Sequence, residues 1–219
     1  MTSSVSKQEL FELLEEKKRR QKYNKLSLYD PYDWQKQFHK NGATDQQRLL
    51  MTGNRCGKTE SGCYEDAMHL TGRYPDWWEG KRYNRPVKMV VACNTTSVTR
   101  DVLQDRLLGE NSVGDPEQEG SGTIPQDCIA GHLNFPGVPG AYQILYIKHE
   151  SGLGNSSIYF KAYEQGQKAI MGKGYDIVHI DEECPDDFYR QAVVRTLDNA
   201  GCVYLTFTPE NGLTRLVAE

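Results

Sequence analysis

Two short runs in this 219-residue chain carry groups suited to holding and cleaving a phosphate anhydride. In the first, Leu49, Leu50 and Met51 lead through Thr52, Gly53, Asn54, Arg55 and Cys56 to Gly57-Lys58-Thr59. An apolar strand, a glycine-bounded loop and a helix start in that order form the setting of a phosphate-binding loop. The backbone N–H groups of such a loop and the helix N-terminus cradle phosphate oxygens. Lys58 neutralises the β/γ oxygens, and the Thr59 hydroxyl ligates Mg²⁺. One departure stands out: the first glycine of G-x-x-x-x-G-K-[ST] falls at Thr52, with Gly53 one place later. Alone, Gly-Lys-Thr also fits an ordinary helix-capping loop.

The second run, Tyr175-Asp176-Ile177-Val178-His179-Ile180-Asp181-Glu182-Glu183, is a mostly apolar strand ending in adjacent carboxylates. Asp181 is placed to hold Mg²⁺, and Glu182 to take a proton from the attacking water. An isolated Asp-Glu-Glu would read as a solvated turn. Downstream of a phosphate loop in an α/β pattern, it points to Mg²⁺-dependent ATP hydrolysis. The catalytic candidates are Lys58, Glu182 and Arg55, and the nucleotide-facing set adds Gly53, Asn54, Cys56, Gly57, Thr59 and Glu60. A third run, Thr206-Phe207-Thr208-Pro209, ends a further strand. There Thr206 and Thr208 are candidates for sensing the γ-phosphate and coupling its loss to movement, although Thr-Pro also suits a plain strand exit.

These residues need elements to hold them. Residues 48–52, 87–92, 176–180 and 202–206 read as strands, and 58–70, 98–108 and 187–197 as helices, an alternation that implies a mostly parallel sheet with helices on both faces. The Gly- and Pro-rich stretch 109–140 suggests a surface insertion, and 144–147 with 157–161 an added strand pair. Before all of this, Ser6 and Glu9 have capping-box spacing ahead of a helix over 6–25, whose far end carries Lys17, Lys18, Arg19, Arg20, Lys22 and Lys25. That basic run suits either DNA phosphates or a solvated face. We divide the chain into a helical arm, 1–28, and a main domain, 29–219.

Composition narrows the classes. Charged residues make up 26% of the chain, and there is no apolar run near the roughly 20 residues a membrane helix requires. The six cysteines show no C-x-x-C pair or zinc-ligand spacing, so they read as reduced thiols in a cytosol. A formal net charge of −4 neither supports nor excludes DNA as a substrate, because a motor that releases DNA at each step needs only a local basic face.

Over residues 29–217 the chain resembles the large terminase subunits that package DNA in tailed double-stranded DNA bacteriophages. The resemblance rests on Trp34-Gln35-Lys36-Gln37-Phe38-His39, on Gly53 to Thr59, on the run from His69 to Gly80, on Ile180-Asp181-Glu182-Glu183 and on Thr206-Phe207-Thr208-Pro209. It implies a P-loop NTPase fold of the additional-strand (ASCE, RecA-like) type, with one strand between the loop strand and the Asp181 strand. It also implies that Gln35 contacts adenine, with Trp34 or Phe38 packing on the base, and that Arg55 stabilises phosphate charge in cis or meets a neighbouring subunit. The implied partners are double-stranded DNA, a portal protein, a small terminase subunit and further copies in a ring, with no membrane. The implied location is the host cytoplasm, at the procapsid portal during packaging. Large terminases continue into a nuclease domain, so a chain ending at Glu219 is expected to be the ATPase part alone. Met171 stands where a trans-acting basic residue is expected, which leaves Arg100, Arg106, Lys168, Lys173 and Arg195 as candidates for that role.

Two other readings fit some of these residues. A superfamily 2 helicase shares the glutamine, the Asp-Glu pair and a Ser/Thr motif, but needs a second lobe. A nucleotide-gated scaffold would bind ATP without useful turnover, against which the intact Lys58, Asp181 and Glu182 count. Trp77 and Trp78, near Arg73, Lys81, Arg82 and Arg85, are expected to pack their loop on the core rather than to stack on DNA.

Overall fold

A computed structural model describes residues 6–112, 115–209 and 214. The first five residues of the expected arm, and residues 215–217 at the end of the resemblance, lie outside the described residues. Helix α1 (Lys7–Tyr23) opens on the expected capping box: Glu9 N donates to Ser6 Oγ over 3.1 Å and Ser6 N to Glu9 Oε2 over 2.7 Å. None of its residues is buried, and Leu10, Phe11, Leu13 and Leu14 stay exposed. Its basic run is partly answered within the helix, where Lys18 pairs with Glu15 and both Arg19 and Arg20 pair with Glu16. Leu26, counted in the arm by sequence, is buried in the core.

Next come α2 (Asp33–Asn41), β1 (Gln47–Met51), α3 (Lys58–Thr71) and β2 (Lys88–Cys93). The expected helix over 98–108 is broken into α4 (Thr96–Val98), a π-helical turn (Thr99–Gln104) and α5 (Asp105–Leu108). Inside that turn the Thr99 hydroxyl reaches back to Thr95 O at 2.9 Å and across to Lys161 O at 3.0 Å, and such back-bonding disturbs the regular ladder. The remaining elements are β3 (Ile129–Asn134), β4 (Tyr142–Lys148), β5 (Asn155–Ala162), β6 (Ile177–Asp181), α6 (Asp186–Leu197) and β7 (Cys202–Phe207).

Among the described residues seven strands form one sheet in the order β1-β7-β6-β2-β5-β4-β3, the first five parallel and the last two antiparallel. This is the expected α/β fold, with β7 separating β1 from β6. Alternation along the strands supplies two cores. Met89, Val91 and Cys93 of β2 join Tyr204 and the α3 residues Cys63, Ala67 and Met68 on one face. Val90 and Ala92 join Val203, Leu205 and the α6 residues Phe188 and Ala192 on the other. Covered on both sides, β6 and β7 are buried along their whole lengths.

The sequence reading needs correction at two places. Stretch 109–140 is more than a surface insertion: it contains β3, and its buried Ile124 docks where Thr123 N and Ile124 N each donate over 2.9 Å to Arg106 O and Leu107 O. The expected strand pair 144–147 with 157–161 does form, as β4 against β5, but β5 also pairs in parallel with β2, so the pair extends the main sheet. Trp78 is buried beside His39, His69 and Tyr74, so this loop packs on the core as expected. All six cysteines are free, and five of them are buried. Among the described residues no helix is long and apolar enough to cross a membrane.

Candidate nucleotide site

The parallel strands β1 and β6 deliver the two chemical runs to the same end of the sheet, and β7 between them delivers the third. The loop after β1 turns sharply, with Arg55 at φ 59° and Gly57 at φ 85°. The glycine takes this left-handed conformation freely, whereas the arginine is strained. Glu182 directly after β6 is also left-handed, at φ 69°. Its N–H donates to Thr206 O over 2.9 Å, which fixes the turn against β7. Behind it the Tyr163 hydroxyl stands 2.5 Å from Asp181 O, 3.1 Å from Glu182 O and 3.1 Å from Ala92 O, clamping the ends of β6 and β2. Burial pushes the Tyr163 phenol well above its usual range and keeps it a donor.

Lys58 begins α3 and is 7% exposed. Its Nζ donates to Gly53 O over 2.8 Å and to Thr208 Oγ1 over 2.7 Å, and Thr208 Oγ1 donates to Asn54 Oδ1 over 2.8 Å. Thr59 Oγ1 donates to Asp181 Oδ1 over 2.9 Å, and Thr206 Oγ1 donates to the same oxygen over 2.6 Å. Asn54, Arg55, Cys56, Gly57, Lys58, Thr59, Glu60, Glu182 and Thr208 line one cleft of about 370 Å³. Thus the loop, Glu182 and Thr208 meet at one cleft, with Asp181 and Thr206 bonded in sequence behind Thr59. Gly53 takes part through its carbonyl.

Gln35 sits just beneath the loop and is 4% exposed. Its Nε2 donates to Gly57 O over 3.3 Å, and its Oε1 accepts from Tyr32 N over 2.9 Å. In this arrangement the glutamine supports the loop backbone. Phe38, expected as an alternative base contact, is buried against Arg48 and Tyr204 and is unavailable to a base, whereas Trp34 is part-exposed beside Tyr32.

Of the basic residues expected to act on a neighbour, Arg106 lines this same chain's cleft. The others lie elsewhere: Arg100 pairs with Asp101 and donates to Pro139 O, Arg195 donates to Gln191, and Lys173 lies over the Tyr159 ring. Lys168 is in the short helical turn Gln167–Ile170, and Met171 is part of the exposed surface after it.

Sequence reasoning passed over a buried chain of polar groups behind Asp181. His179 Nε2 lies 3.0 Å from Thr206 Oγ1 and His179 Nδ1 lies 2.7 Å from Asp66 Oδ2, while Tyr204 OH donates to Asp66 Oδ1. With the Thr206 hydroxyl hydrogen given to Asp181, its oxygen faces His179 Nε2 as an acceptor, and the Asp66 carboxylate faces Nδ1. Burial works against a charged ring, but the Asp66 carboxylate outweighs burial and raises the His179 pKa. The available signal was one histidine in an otherwise apolar strand.

An α/β sheet in which one strand separates the strand before the glycine loop from the strand ending in Asp181 defines the additional-strand P-loop fold. Residues 49–219 match the family described as "Terminase large subunit, T4likevirus-type, N-terminal". The large terminase subunit of Salmonella phage P22 is 32% identical over 227 residues, an alignment covering 96% of this chain and 45% of that protein. The structure of the large terminase from a thermophilic bacteriophage has the same fold, with a TM-score of 0.54 at 13% identity, covering 82% of this chain and 39% of that one. A second structure of that thermophilic phage terminase, in complex with ADP, gives 0.51 at 15% identity, covering 81% and 38%. The chain belongs to the terminase large subunit family. It spans less than half the length of its P22 relative.

Proposed function

We propose that this chain hydrolyses ATP with Mg²⁺ to drive double-stranded viral DNA into a procapsid. The observation that carries this reading is the convergence of Lys58, Thr59 and Glu182 from two distant segments on one cleft, with Asp181 hydrogen-bonded to Thr59 at its edge. The P22 relative and the ADP-bound structure of the thermophilic phage terminase support it.

Loop N–H groups and Lys58 hold the phosphates, and Lys58 exchanges its contacts with Gly53 and Thr208 for phosphate oxygens as the nucleotide enters. Thr59 and Asp181 fit Mg²⁺: they offer a hydroxyl and a carboxylate side by side, hard oxygen donors of the kind that share this ion with substrate phosphates and water. When bound, the ion neutralises charge on the phosphate oxygens. Glu182 takes the proton of the attacking water, and Arg55 and Arg106 add positive charge at the cleft. Loss of the γ-phosphate is read through Thr206 and Thr208, which touch Asp181 and Lys58 directly. Gln35 supports the loop on the adenine side.

The working state in this proposal is a ring of copies at the portal in the host cytoplasm, with the small terminase subunit delivering DNA. Steady-state phosphate release tests the site. Lys58→Ala, which removes the charge facing the phosphates, lowers the rate by at least about 10²-fold. Release at the wild-type rate would remove the phosphate-loop assignment.

A further inference from the structure

We propose that His179 is a positioning residue for this site: anchored by Asp66, it sets the Thr206 hydroxyl and through it the Asp181 carboxylate. The proposal rests on the nucleotide-site reading above. His179 is 0% exposed and belongs to β6, two residues before Asp181, among Ile177, Val178 and Ile180. An apolar side chain would fill this place without the cost of burying a polar ring, so packing does not explain the histidine. Its two nitrogens instead join three elements, with Asp66 of α3 at 2.7 Å on one side and Thr206 of β7 at 3.0 Å on the other. Asp66 is itself 0% exposed and fixed by Tyr204, so the anchor has little freedom.

Gly62 supplies an independent sign that the ring is seated on purpose. It lies inside α3, where glycine is less favourable than alanine. A Cβ there would stand 2.5 Å from His179 Cε1 and 2.6 Å from Nε2, closer than real contacts allow. The helix gives up a side chain at the point where the imidazole approaches it. The order of contacts is then Asp66, His179, Thr206 and Asp181, ending on the oxygen that Thr59 also touches. Hydrogen-bonded partners of a ligating carboxylate typically set metal affinity or activity by about 10- to 100-fold.

The test is calorimetric titration of ADP into the chain with Mg²⁺ and with EDTA, for wild type, His179→Gln, Thr206→Val and the double variant. Glutamine carries both polar atoms at one end and cannot bridge partners on opposite edges of a ring. The expected result is that His179→Gln weakens the Mg²⁺-dependent part of ADP binding about tenfold, leaves binding in EDTA unchanged, and adds nothing in the Thr206→Val background. A residue serving only the fold would instead weaken both conditions and add its effect to that of Thr206→Val. A folded His179→Gln with wild-type Mg²⁺ dependence, or a double variant whose loss is the product of the two single losses, overturns the proposal. Because burial makes loss of folding a real outcome for this variant, the wild type is also followed by ¹⁵N NMR. Its His179 ring resonances are expected to shift when Mg²⁺ is added to the ADP complex, and unchanged resonances overturn the proposal. Failure of the site reading itself shows differently, as wild type whose ADP binding ignores Mg²⁺.

Discussion

Lys58 Nζ donates to Thr208 Oγ1 over 2.7 Å, tying the start of α3 to the end of β7 across 150 residues of sequence. The lysine proposed to face phosphate therefore already holds Thr208, the residue proposed to report the nucleotide state. In the proposed mechanism nucleotide entry breaks this contact. Thr208→Val removes it from the starting state, saving about 1 kcal/mol of exchanged hydrogen bonding, so ADP binds roughly fivefold more tightly by calorimetry. Weaker binding would mean that Thr208 contacts the nucleotide directly.

Arg106 lines the cleft of its own chain, so it is expected to act in cis. Arg106→Ala lowers turnover by at least about tenfold. Mixing those subunits with Glu182→Gln subunits, which keep Arg106 but cannot activate water, restores nothing. Recovery above the sum of the two preparations would show that Arg106 serves a neighbour's site.

A second buried network steadies α3 one residue before Asp66, where Glu65 meets Arg48 at 2.5 Å, His39 at 2.7 Å and His69 at 3.3 Å. Burial alone would raise the Glu65 carboxyl, but Arg48, helped by both histidines, outweighs it and holds the group well below its usual 4.5. With the folded-state value depressed, this group's contribution to stability is full above about 4.5 and is lost as pH falls through the folded value. Denaturant unfolding from pH 6 to pH 3 is expected to show wild type losing stability while Glu65→Gln, less stable at pH 6 by about 3 kcal/mol, changes less. Parallel curves would contradict the assignment.

Much of the site was legible because its chemistry is written in local runs. Gly57-Lys58-Thr59 after an apolar strand and Asp181-Glu182 after another each carry their own context, and parallel strands must bring such ends together. What stayed hidden depends on contacts between distant segments. Nothing local marks Arg106 as a cleft residue, because a disturbed helix after β2 decides where it points. His179 stood inside a run already read for its carboxylates, and only the fold shows Asp66 and Gly62 against it. The strand β3 was missed because none of its residues is buried and most are exposed.

The central claim is that Glu182 activates water for ATP hydrolysis in this cleft, and Glu182→Gln tests it most directly. The amide keeps the shape of the side chain but cannot accept the proton. Phosphate release and MgATP binding should be measured together on wild type and this variant. The account predicts binding within a few-fold of wild type and release slowed by about 10²- to 10⁴-fold. Release from Glu182→Gln near the wild-type rate would contradict it.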